Sequence, residues 1–108
     1  MNVEYTGRHM TVGSKLKAQG EAGFLRIEKV LDRGASAHVI LTEEKHRKIA
    51  EVTVTAREEI LVATCEASEM ETALHDALHT IEQQAIKHKK RAATIRQHPK
   101  PMVLPEAM

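Results

Sequence analysis

The chain has no tryptophan, and Tyr5 and Phe24 are its only aromatic residues. Recognition of unpaired bases by stacking needs aromatic platforms that are missing here. A nucleic-acid partner would have to be held through phosphates and shape. Cysteine occurs once, at Cys65, which excludes an intramolecular disulfide and fits a reducing cytosol. No apolar run approaches the roughly 18–20 residues of a membrane span. The start, Met1-Asn2-Val3-Glu4-Tyr5, lacks the charged-then-apolar order of a secretory signal. There is no internal repeat and no glycine-rich phosphate loop. These absences lead us to expect a soluble, cytoplasmic protein with no membrane partner.

What is present is a strong charge asymmetry concealed by a net charge of +1. Between residues 83 and 105 there are six Lys/Arg and no acid, starting with Lys87-His88-Lys89-Lys90-Arg91. The rest of the chain carries ten Lys/Arg against fifteen Asp/Glu, so a basic end sits on an acidic body. Such polarity points to a polyanionic partner. At 108 residues the chain has the size of one domain with a modest core.

Periodicity supplies the elements. Val3 and Tyr5 alternate with polar neighbours up to Thr6-Gly7, giving a short strand. Thr11 is placed to cap a helix running to about Leu31, with Val12, Leu16, Phe24, Ile27 and Leu31 on its apolar face. Gly13, Gly20 and Gly23 weaken this helix by roughly 1 kcal/mol each, so packing must hold it. Strands follow at Ala35–Thr42, Ile49–Ala56 and Ile60–Ala67, burying Ala37, Val39 and Leu41, then Ala50, Val52 and Val54, then Leu61, Ala63 and Cys65. Ser68-Glu69-Met70-Glu71 reads as a capping box. It opens a helix apolar at Met70, Leu74, Ala77, Leu78, Ile81 and Ala85 that continues to about Gln97. That helix is ~44 Å long and must outrun its sheet. Pro99 and Pro101 end it, and residues 98–108 are expected to form a disordered tail.

The order β-α-β-β-β-α with one-face-buried strands predicts an α+β two-layer domain over residues 1–97. Two helices cover one face of a four-stranded, antiparallel-dominated sheet.

With these elements in place the chain resembles the ribosome hibernation-promoting factors, also called ribosomal subunit interface proteins or sigma-54 modulation proteins. The resemblance runs from about Val3 to Arg91. It is carried by Tyr5-Thr6-Gly7, by Ile27-Glu28 to Leu31-Asp32-Arg33, by Ala63-Thr64-Cys65-Glu66-Ala67-Ser68-Glu69-Met70, and by Lys87-His88-Lys89. It implies a fold like a double-stranded RNA-binding domain and a non-enzymatic, bacterial stress-response factor with no small-molecule substrate and no cofactor. Such a factor occupies the decoding region of the small (30S) ribosomal subunit and excludes transfer and messenger RNA. It also implies that basic residues on both helices contact ribosomal RNA, here Arg26, Arg33, Lys87, Lys89 and Arg91. Lys29 and Lys90 are added from charge and position alone. The chain looks like a short member of the family, expected to act as a monomer on the ribosome. Gly23, Thr80 and Gln83 stand where relatives commonly carry a basic residue, Glu71 replaces a usual aromatic, and His75 and His79 stand where acids are common. Binding should therefore depend more heavily on the terminal tract.

Two other functions were weighed. A general double-stranded RNA-binding module would share the topology and the cationic surface. A small metal-dependent hydrolase would use His75-Asp76-Ala77-Leu78-His79, which mimics the H-E-x-x-H zinc motif. That chemistry needs a third ligand and a longer general base than Asp, and both histidines flank the apolar stripe. No metal site and no catalytic residue is therefore assigned. Cys65 reads as a small core residue rather than a nucleophile, having no basic neighbour.

Overall fold

The computed structural model describes residues 1–31, 35–56 and 59–97, with side chains through Lys89. Its elements are β1 (Asn2–Arg8), α1 (Ser14–Val30), β2 (Ser36–Glu43), β3 (Lys48–Thr55), β4 (Ile60–Ala67) and α2 (Met70–Gln97). The sheet order is β1-β2-β3-β4. β1 pairs parallel to β2 from Asn2↔Ser36 to Arg8↔Thr42, because α1 returns the chain to the same end before β2 begins. The other two pairings are antiparallel, with Val39 opposite Val52 and Val52 opposite Ala63.

Strict alternation in each strand puts one face of the sheet under the helices. Val39, Leu41, Val52 and Val54 are fully buried there, together with Ile27 from α1 and Leu74 and Ile81 from α2. Each such side chain contributes roughly 1.5–3 kcal/mol by leaving water. Ala73, Ala77 and Ala85 are also fully buried, so α2 turns small residues toward the sheet and can lie close to β3 and β4. Cys65 is half-buried and packs against this core. The far edge of β4 is tied to α2 by Gln84, whose Nε2 donates to the Val62 carbonyl at 3.1 Å. That bond occupies an acceptor which an edge strand would otherwise leave open.

Local corrections to the sequence reading are instructive. The first helix is capped by Gly13, not Thr11, and no side chain bonds to its first amides. The capping box at Ser68 does not form among the described residues: the Ala73 amide donates to the Glu69 carbonyl at 3.1 Å, which starts the helix one residue later. Glu71 is drawn instead toward α1, where Lys15 Nζ lies 3.6 Å away. β2 and β3 are each displaced by one residue, in opposite directions, because Glu43 pairs with Lys48 and shortens the turn between them. Residues 98–108, expected to form a tail, lie outside the described residues.

Gly20 and Gly23 do more than weaken α1. A Cβ on Gly20 would stand 2.5 Å from the Tyr5 hydroxyl, and one on Gly23 would stand 2.7 Å from Leu78 Cδ1. Tyr5 therefore lies across α1, its hydroxyl 3.4 Å from the Lys17 carbonyl. Burial, and then the charge of Glu21, push its phenol above the ordinary value of 10.0. The folded chain holds that proton more tightly than the unfolded chain does. The resulting stability is complete below pH 10 and is lost as pH rises through the folded value. Tyr5→Phe is expected to flatten this part of the alkaline decline, as read from melting temperatures between about pH 9 and 11.

Candidate nucleic-acid interface

Both helices follow strands that run in the same direction, so α1 and α2 run parallel to each other. Their cross-contacts advance in step: Gln19 Nε2 donates to the Glu71 carbonyl at 2.8 Å, Gly23 faces Leu78, and Arg26 Nε lies 3.6 Å from Glu82 Oε1. The C-terminal end of α1 therefore meets α2 part-way along its length, at one pole of the molecule. By the same register α1 ends level with residue 86. Lys87 to Gln97 then continue for about 16 Å with no helix beside them.

His88 fixes where this extension leaves the body. Its Nδ1 lies 2.8 Å from Glu59 Oε1, in the turn between β3 and β4, and the two side chains are 28 % and 33 % exposed. Residues beyond His88 thus clear the sheet as well as α1. His88→Ala is expected to remove about 0.5–1.5 kcal/mol of stability. This is measurable as a fall in melting temperature of about 4–8 °C for each kcal/mol.

Lys29, at the end of α1, and Lys87 and Lys89 on α2 are all exposed. Among the described residues no acid lies within ion-pair distance of these three. Lys90 and Arg91 belong to the same helix, but their side chains lie outside the described residues, as does Arg33 altogether. The structure thus brings Lys29 to the same pole as Lys87 and Lys89. Arg26 is different: it is 58 % exposed yet paired with Glu82. Glu82 was missed in the sequence, although it is the last acid before the basic tract.

A macrodipole account of the tract fails on position. Dipole stabilisation fades within the last turn of a helix, and Lys87 to Arg91 stop well short of Gln97. Lys87 and Lys89 are exposed where α2 has passed the end of α1 and leaves the sheet beside Glu59, which is where a ligand can reach them. By contrast, the open face of the sheet carries Glu4, Glu51 and Glu66, the last of them paired with Arg47 from the β2–β3 turn. Its depression is lined by Asn2, Glu4, Ser36, Ala37, His38, Thr53 and Thr55, with no Lys or Arg among them.

The two α2 histidines stack as parallel rings, with centroids 6.3 Å apart. His75 Nδ1 also lies 3.3 Å from Asp76 Oδ1. Among the described residues no cluster of three His, Cys, Asp or Glu side chains is placed to hold a metal. No helix among them is long and apolar enough to cross a membrane.

Residues 3–93 match the model of the family described as sigma 54 modulation protein / S30EA ribosomal protein. The chain belongs to that family. It is 30 % identical over 101 residues to the ribosome hibernation promoting factor of Azotobacter vinelandii, covering 94 % of each chain. Its fold is shared with the N-terminal domain of Thermus thermophilus Protein Y, with a TM-score of 0.76 at 20 % identity, over 82 % of this chain and 99 % of that one. The ribosomal subunit interface protein of Coxiella burnetii has a TM-score of 0.73 at 22 % identity, over 83 % of this chain and 99 % of its own. The matched segment takes in α1 and α2 through the basic tract Lys87–Arg91. Gly23, one of the positions where the resemblance led us to expect a basic residue, is buried against Leu78, so a long side chain does not fit there with the helices at this separation.

Proposed function

We propose that this protein is a bacterial hibernation factor that binds the decoding region of the small ribosomal subunit through its cationic pole. It inhibits translation by filling the space of transfer and messenger RNA. Membership of a family of non-enzymatic ribosome-binding proteins supports the class of partner. The observation that supports the surface is the meeting of the end of α1 with the basic stretch of α2, where Lys29, Lys87 and Lys89 are exposed and have no acid within ion-pair distance among the described residues. Lys90 and Arg91 extend that surface by their place on α2, and Arg33, assigned by the resemblance, lies outside the described residues.

The mechanism is steric and electrostatic. Cations on a helix that projects from the body reach phosphates in a cleft of folded RNA while the two-layer domain occupies the cleft. Each phosphate neutralised releases counterions, so affinity falls with salt at a slope of roughly −0.9 per contact for duplex DNA, and the same logic applies to folded RNA. The test is sedimentation of the protein with purified ribosomes across a salt series, joined to an assay of translation in a cell-free extract. Binding to the small subunit that weakens steeply with salt and stops translation supports the reading. Equal affinity for any duplex RNA would favour a general double-stranded RNA-binding module instead.

A further inference from the structure

Glu82 occupies a singular place on the helix pair. It projects from α2 toward α1, is 24 % exposed, and lies 3.6 Å from the Arg26 guanidinium. Before it on the same seam, Glu71 engages Lys15 and the Gln19 amide. After it, no acid occurs until residue 106. The seam therefore pairs Lys15 with Glu71 and Arg26 with Glu82. The exposed Lys29, Lys87 and Lys89, by contrast, have no acid within ion-pair distance among the described residues, Glu59 nearby being engaged by His88. Glu82 is the last acid on α2 before the basic tract, and Arg26 is the α1 cation it opposes.

We propose that Glu82 is an affinity-limiting residue of the polyanion-binding surface. It holds the Arg26 guanidinium against α2 and places a negative charge where a phosphate bound by Arg26 would sit. Phosphate binding by Arg26 must displace Glu82 or lie beside it, and either event weakens the contact. This rests on the reading of the pole as a ribosomal RNA surface and adds to it a residue that lowers affinity. A surface ion pair of this kind contributes little to folding, about 0–1 kcal/mol at exposed sites. Its removal is therefore visible in binding rather than in stability. Glu82→Gln keeps the shape and a hydrogen-bonding group while deleting the charge, so the helix seam is preserved.

The consequence is specific to the pair. In Glu82→Gln, Arg26 becomes available as one further phosphate contact. Affinity for purified ribosomes near physiological salt is expected to rise about threefold to tenfold, and the slope of log K against log salt to steepen by roughly 0.9. Arg26→Gln alone is expected to change affinity little, because its charge is already opposed. In the double variant Arg26→Gln/Glu82→Gln the gain and the extra slope should disappear.

Dissociation constants of the four proteins for ribosomes, measured from about 50 to 300 mM salt, test this directly. Wild-type protein that binds while Glu82→Gln shows unchanged affinity and slope overturns the role of Glu82 and leaves the ribosome reading standing. A gain that persists in the double variant also overturns it, since the effect would then owe nothing to Arg26. Wild-type protein that binds no ribosome overturns both. Melting curves of the four proteins should coincide within about 1 kcal/mol, so that changes in binding report the surface alone.

Discussion

Reversing Lys87, Lys89, Lys90 and Arg91 to Glu is expected to abolish sedimentation with ribosomes while leaving the protein folded. Four lost phosphate contacts, each with a salt slope of roughly 0.9, amount to about a thousandfold loss of affinity near 0.15 M salt before repulsion is counted. Repulsion then adds to the loss, because four carboxylates replace four cations next to an RNA surface. Stability should barely change. Lys87 and Lys89 are exposed, and all four residues lie on the part of α2 that runs past the end of α1. Surface substitutions of this kind generally stay within ±0.5 kcal/mol each. The measurement is co-sedimentation over a salt series, with a melting curve on the same preparation. A variant that still pellets with unchanged salt dependence would sink the electrostatic account, whatever its melting temperature.

The strength of this prediction comes from geometry that periodicity alone does not give. Local rules made the elements legible: alternation located all four strands, and the apolar positions Met70, Leu74, Ala77, Leu78, Ile81 and Ala85 are all buried in α2. The basic tract is a property of composition and needs no structure to be seen. Pairings between distant residues were not legible, because nothing in a helix period says which neighbour a side chain meets. Arg26 and Lys29 were both expected on the RNA surface, Arg26 by the resemblance and Lys29 by charge and position alone, yet only Arg26 meets Glu82. The two caps failed for a related reason. Ser68 and Thr11 satisfy the chemistry of capping, but Glu71 is engaged across the seam by Lys15 and α1 starts at Gly13. The glycines misled most. By propensity they are weak points of α1, and the need for close approach at Gly20 and Gly23 becomes visible only when Tyr5 and Leu78 are placed against them. The resemblance to relatives marked position 23 as unusual without showing why.

That close approach leads to the second large effect, a reversal of sign. Gly23→Val inserts three carbons where a single Cβ would already stand 2.7 Å from Leu78 Cδ1 and 3.3 Å from its Cγ. In an otherwise unaltered protein this overpacking should cost about 1–3 kcal/mol. Leu78→Ala, at a residue only 4 % exposed, removes three carbons from the same place and should cost about 2–5 kcal/mol through lost burial and the cavity left behind. Combined, the substitutions conserve volume across the seam: valine from α1 fills the space that leucine vacated on α2. Gly23→Val should therefore destabilise the wild-type protein but stabilise the Leu78→Ala variant, with a coupling of about 1–3 kcal/mol between the two sites. Denaturant unfolding of the four proteins measures the cycle, and melting temperatures should follow at about 4–8 °C per kcal/mol. Additive losses would mean that α1 and α2 do not meet at Gly23, and the spacing that joins Arg26 to Glu82 would lose its basis. A change of sign would establish the seam as the element that sets how far apart the two cationic helix ends stand. The ribosome affinity of Gly23→Val should then fall even though the substitution touches no charge, because Lys29 on α1 would be displaced from Lys87 and Lys89 on α2.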